Sequence, residues 1–184
     1  TDDRERRLCS GSRAYCIDVK PYLVEFNRQD PIYNYWASLA DELDITLLIN
    51  VPELDNDKMY NSTAVIGPEG ELITRYRKNN LWRLDEDYAE PGTEVAVIEL
   101  DNEKFGLMIC FDGHLAYVEK NLYQIYEEMG VENLIGMGFG ISGYHYRLNL
   151  LDYNFKKAFI SDAWQSSYFD FRRLNFAFGE EENA

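Results

Sequence analysis

Only two histidines, three cysteines and five prolines occur in 184 residues, and the basic residues number 18 against 33 acidic ones. Each scarcity closes off a class of chemistry. Two histidines, His114 and His145, with no short-spaced cysteine pair, provide no clustered metal-ligand set, and no metal or organic cofactor is expected. A net charge of −15 repels phosphate backbones and anionic lipid surfaces, which argues against nucleic-acid and peripheral membrane partners. No window approaches the roughly 18 consecutive apolar residues of a membrane-spanning helix, and the N-terminal Thr-Asp-Asp-Arg-Glu-Arg-Arg is charged where a signal peptide would be apolar. What is abundant points to a folded chain: 46% hydrophobic residues, with 14 Tyr and 10 Phe.

The length suits one domain. A start at Thr1 leads us to expect a processed product or an excerpt, with a single, partial domain over residues 1–184 and an irregular lead-in over residues 1–30. Cys9 and Cys16 are close enough to pair in an oxidising compartment, leaving Cys110 odd; unpaired loop thiols are the alternative. The compartment expected leans to the secreted side.

Asp30-Pro31 reads as an N-cap followed by the favoured first helical position, and Ile32, Trp36, Leu39, Ala40 and Leu43 recur at helical spacing over about three turns. Ile45 to Val51, closed by Pro52, reads as a buried strand. Ser62–Ile66 and Leu72–Tyr76 flank the turn Gly67-Pro68-Glu69-Gly70, and a second hairpin joins Val95–Leu100 to Phe105–Cys110 through residues 101–104. Leu115, Val118, Leu122, Ile125, Tyr126 and Met129 mark a helix ended by Gly130, and Val131–Met137 returns as a strand. Strand, helix, strand predicts a crossover with parallel neighbours. Residues 148–178 read as mostly helical, and Gly136-Met137-Gly138-Phe139-Gly140 as a loop needing positive φ.

The chemistry centres on Cys110, at the exit of an apolar strand. A strand-to-helix turn presents a nucleophile and can also direct backbone N–H groups at a developing oxyanion. A small buried hydrophobe is the plain structural reading of the same residue. A Cys-His dyad would need His114, four residues on, but papain-like local sequence is absent. Asn61-Ser62-Thr63 has the form of a glycosylation acceptor, although it falls in an expected strand.

An ordered series of motifs resembles the nitrilase superfamily of carbon-nitrogen hydrolases over about residues 31–135. It comprises Leu47-Leu48-Ile49-Asn50, Tyr60 to Ile66, Gly67-Pro68-Glu69-Gly70, Arg75-Tyr76-Arg77-Lys78, Glu90-Pro91-Gly92 and Phe105 to Asp112. Lys20-Pro21-Tyr22-Leu23, Lys78 to Trp82 and Cys110-Phe111-Asp112 look most like the pantetheinase and biotinidase branch. The resemblance implies an α/β fold of α-β-β-α sandwich type, here incomplete at both ends, and a Glu-Lys-Cys catalytic set. Cys110 would form a thioester with a small amide substrate, and Lys78 would hold the oxyanion. Because a free thiol is mostly protonated at neutral pH, a nearby cation or base has to raise its thiolate fraction. Glu86, eight residues after Lys78, takes the place of a supporting glutamate that positions substrate or lysine; a solvated acid in the run Asp85-Glu86-Asp87 is the alternative.

The resemblance further implies a general-base glutamate in an apolar-Pro-Glu context at the end of an early strand, and the reading finds none. Glu25 follows Leu23-Val24 without a proline, and Glu5 follows no strand. The expectation is an amidohydrolase whose chain starts after that motif, completed by a homodimer partner or another polypeptide segment. A catalytically silent fold member serving in binding, storage or assembly is the competing reading.

Overall fold

The computed structural model describes residues 7–9, 16–83, 85–114, 119–139, 153–162 and 166–170; at 7–9, 16–18, 138–139, 160–162 and 166–170 the backbone alone is described. It comprises two compact units, Thr1–Glu94 and Val95–Ala184.

In the first unit, β1 (Arg7–Cys9) pairs antiparallel with β2 (Cys16–Asp18), so that Cys9 and Cys16 stand opposite one another in register. The lead-in thus contains two paired strands. A 3-10 turn at Lys20–Tyr22 follows, then α1 (Pro31–Leu43). The expected cap is present: Asp30 Oδ1 accepts the N–H groups of Ile32 at 2.8 Å and Tyr33 at 2.9 Å. The buried face of α1 is turned about one residue from the expected one. Tyr33, Ala37 and Ala40 are buried while Leu43 is exposed, because two alanines let the helix lie close to the sheet.

That sheet is antiparallel, ordered β3 (Leu47–Asp55), β4 (Lys58–Ile66), β5 (Leu72–Arg77). Ile49, Ala64 and Ile66 pack with Val24 and the α1 residues into one core cluster. The expected end of β3 at Pro52 is corrected, since the strand continues to Asp55. Pro52 is tolerated because β3 is, among the described residues, an edge strand, and its carbonyl turns away from β4 to accept the Val24 N–H at 2.9 Å. β3 and β4 meet at Asn56 and Asp57, both with positive φ (48° and 66°), the backbone of a two-residue hairpin turn.

In the second unit a five-stranded sheet runs β10 (Ser166–Asp170), β9 (Lys157–Asp162), β8 (Asn133–Phe139), β7 (Glu103–Ile109), β6 (Val97–Leu100). β7, β8 and β9 are parallel, as the crossover predicts for the first pair. The β6–β7 turn is Asp101-Asn102 alone, both left-handed, so β7 begins two residues earlier than expected. Between β7 and β8, α2 covers Leu122–Glu128, capped by Asn121, whose side chain accepts the Gln124 N–H. Leu115 and Val118 lie outside the described residues, and Met129, expected on the apolar face, is exposed just past the helix. Gly130 has the left-handed φ of +70° that ends such a helix.

Two further expectations are overturned. Residues 133–139 form a strand where a glycine loop was expected at 136–140, and Gly140 lies outside the described residues. The helical expectation for 148–178 fails over 157–162 and 166–170, which are strands β9 and β10. The spacing of Phe155 and Phe159 imitates a helix, but pairing with β8 decides the outcome.

Candidate active site

Lys78 follows β5 and is almost wholly buried, at 3% exposure. Its backbone is fixed on both sides: its N–H donates to the Asn61 carbonyl at 2.8 Å, and its own carbonyl accepts the Gly92 N–H at 2.8 Å. This explains the glycine of Glu90-Pro91-Gly92. A Cβ at position 92 would stand 2.2 Å from the Arg77 carbonyl oxygen. The Lys78 ammonium donates to Asp85 Oδ2 at 2.5 Å, an ion pair in which both side chains are largely withdrawn from water.

Asp85 sits in a turn that its own backbone ties: its N–H reaches the Trp82 carbonyl at 2.6 Å, and its carbonyl accepts from Tyr88 and Ala89. Asp85 Oδ2 also accepts the Trp82 N–H at 3.1 Å, and Oδ1 accepts the Asn61 side-chain amide at 2.9 Å. Burial, reinforced by the Asp85 charge, pushes the Tyr88 phenol above its ordinary range. Of the acidic run it is therefore Asp85 that meets Lys78, while Glu86 is exposed. The Asn61 amide is engaged within β4, which removes the surface loop that a glycan acceptor needs.

The reading that no apolar-Pro-Glu run exists is corrected by Val51-Pro52-Glu53 itself, hidden by ending β3 at its proline. Glu53 is fully buried on the α1 side of the sheet. Its oxygens accept the Ser62 hydroxyl at 2.6 Å, Arg75 at 2.7 Å, and Arg77 at 2.9 and 2.7 Å. Arg77 also lies 3.7 Å from the Tyr60 ring centroid. The Glu53 hydrogen bond, first among several contributions, raises the Arg77 guanidinium above its ordinary pKa. With both oxygens occupied, Glu53 anchors the sheet and has no lone pair presented for proton transfer.

Cys110 stands in the second unit, at the first position of a 3-10 turn, Cys110–Gly113, directly after β7. Its φ is +43°, left-handed and unusual for a residue with a side chain, and it is half-exposed. The turn is tied by Asp112, buried, whose carboxylate accepts the Ile109 N–H at 2.9 Å. The sharp reversal therefore brings the thiol out at the C-terminal edge of a parallel strand, where open α/β sheets bind ligands. Below it, the Tyr126 hydroxyl donates to the Leu107 carbonyl at 2.5 Å, and the Tyr126 ring fills the space above Gly106. The His114 ring lies beside that of Phe111, tilted by 32° with centroids 5.3 Å apart.

The chain belongs to the carbon-nitrogen hydrolase family, which it matches over residues 21–152. It is 33% identical over 112 residues to the omega-amidase NIT2 of Xenopus tropicalis, covering 55% of this chain and 39% of that protein. The human omega-amidase NIT2 is 32% identical over the same length and coverage. The chain thus spans about two-fifths of the length of these curated relatives. Among solved structures, Saccharomyces cerevisiae Nit3, a member of branch 10 of the nitrilase superfamily, covers 82% of this chain and 58% of its own, with TM-score 0.62 and 24% identity. An N-terminal amidase with an Asn-Glu-Ala peptide covers 65% of this chain and 34% of its own, with TM-score 0.54 and 22% identity. These likenesses show the nitrilase-like α/β fold. Both of these curated relatives are omega-amidases, and they lend no support to the pantetheinase and biotinidase branch.

Proposed function

We propose that this chain carries the cysteine and lysine of a carbon-nitrogen hydrolase site acting on a small amide. The Cys110 thiolate attacks the carbonyl carbon, and the tetrahedral oxyanion is stabilised by the Lys78 ammonium. Collapse expels the nitrogen, which takes up a proton and leaves as amine or ammonia. Water then attacks the thioester, releasing the carboxylic acid and regenerating the thiol. Asp85, rather than the exposed Glu86, holds the Lys78 ammonium in this scheme. The proton-shuttling glutamate is either one outside this chain, carried by a second copy or another polypeptide segment, or one of this chain's own residues not yet assigned. The names of the relatives, omega-amidase above all, support a small amide substrate.

The observation that carries the proposal is the left-handed backbone at Cys110. A residue with a side chain held there at the end of a parallel strand stores strain of about 1–3 kcal/mol, and such strain clusters at working residues. The test is selective alkylation. Iodoacetamide should label Cys110 far faster than Cys9 and Cys16, and labelling should abolish hydrolysis of a panel of small amides. Equal, slow labelling without turnover overturns the reading. The complete sequestration of Glu53 by Arg75, Arg77 and Ser62 favours the second reading, a catalytically silent fold member in a binding or assembly role.

A further inference from the structure

We propose that Asn61 is a positioning residue for Lys78, acting through Asp85. The proposal rests on the role given to Lys78 above. Asn61 holds this lysine twice over. Its main-chain carbonyl accepts the Lys78 N–H at 2.8 Å, which fixes where the side chain departs. Its side-chain Nδ2 donates to Asp85 Oδ1 at 2.9 Å, and the other oxygen of that carboxylate takes the ammonium. One residue of β4 therefore sets both ends of the lysine.

The polarity of the Asn61 amide is set by a second asparagine. Asn50, across the β3–β4 ladder, donates Nδ2 to Asn61 Oδ1 at 2.9 Å and to the Ser62 carbonyl at 2.9 Å. With its oxygen committed to Asn50, Asn61 can only turn its NH2 towards Asp85. The carboxylate is then held on both oxygens, by Asn61 on one and by the Trp82 N–H and Lys78 on the other. Without Asn61, Oδ1 loses its donor among the described residues, and the carboxylate can rotate about its Cβ–Cγ bond, carrying the ammonium with it. A shift of about 1 Å in a catalytic group can reduce rate by as much as ~100-fold. Asparagine suits the task because it donates without charge, whereas a cation there would compete with Lys78 for Asp85.

The test uses the full chain with Asn61→Ala and, as an isosteric variant that has lost the donor, Asn61→Asp. Lys78 is trinitrophenylated with trinitrobenzenesulfonate, its amine displacing sulfite from the ring, and the modified peptide is quantified by mass spectrometry, with exposed Lys58 as internal reference. Lys78 should react severalfold faster in both variants, and Lys58 at an unchanged rate. On small amides kcat should fall at least tenfold with KM nearly unchanged, and in an Asp85→Asn background Asn61→Ala should add little. Unchanged Lys78 labelling in a variant that keeps its urea midpoint overturns the proposal. Fully additive losses with Asp85→Asn overturn it as well, as does a glycan mass on the Asn61 peptide. A wild-type protein without turnover whose Cys110 is alkylated no faster than Cys9 and Cys16 defeats the hydrolase reading, while the labelling arm still decides for or against Asn61.

Discussion

Lys78 and Asp85 lie seven residues apart and share a hydrogen bond of 2.5 Å in a setting nearly closed to water. A buried pair of this kind adds little net stability against a hydrophobic replacement, yet breaking it by removing one partner leaves an uncompensated charge. Asp85→Ala should therefore lower unfolding stability by about 3–5 kcal/mol in urea titration, whereas Asp85→Ala with Lys78→Met should recover most of that loss. Equal losses in the single and double variants would show that the turn, rather than the charge pair, matters.

Gly92 presents a second, purely steric constraint on the same lysine. Gly92→Ala places a Cβ against the rigid Arg77 carbonyl, so the 90–92 segment has to withdraw and lengthen the bond to the Lys78 carbonyl. The expected loss is about 1–3 kcal/mol, read from the thermal midpoint, together with faster amide exchange at Gly92. Unaltered exchange there would show that the segment yields elsewhere.

At Cys110 the backbone prediction separates strain from chemistry. Both Cys110→Ala and Cys110→Gly remove the thiol, but only glycine adopts a φ of +43° without penalty. The glycine variant should be the more stable of the two by about 1 kcal/mol in denaturant unfolding. An alanine variant as stable as the glycine one would mean that the turn relaxes once the sulfur is gone.

Burial raises the phenols of Tyr88, Tyr123 and Tyr126, in each case as the largest influence. The sign follows from linkage. Below the ordinary tyrosine pKa of about 10, both folded and unfolded chains keep these protons. Above it the unfolded chain releases them while the folded chain retains them, so stability falls as pH rises. Absorbance at 295 nm during alkaline titration should show these three phenolates appearing only with unfolding, and Tyr126→Phe should reduce the pH slope above about 10. Smooth ionisation of every tyrosine before unfolding would contradict this.

The local signals read well where one residue's chemistry decides. Asp30-Pro31 caps α1, Gly130 ends α2, and the β7–β8 crossover is parallel. Cys110 likewise stands at the strand exit where its flanking apolar run places it. Partner choice over long sequence distances was less legible. Phe155 and Phe159 stand at helical spacing, yet Phe159 lies in β9, which pairs in parallel with the edge that β8 offers. Within Asp85-Glu86-Asp87 no local pattern says which acid turns inward; the turn from Trp82 to Ala89 selects Asp85. Glu53 was obscured by reading proline as a terminator, a rule that fails on an edge strand whose proline nitrogen faces away from its neighbour.

That same Pro52 has a consequence for how the protein behaves in company. An edge strand with free amide donors is a template on which another chain can add a strand, the first step of many aggregates. Here the outward side of β3 lacks a donor at Pro52 and is already spoken for by Val24, which bridges Glu53 and exchanges hydrogen bonds with Pro52 and Leu54. The residue that disguised the length of the strand also renders its rim inhospitable to strangers.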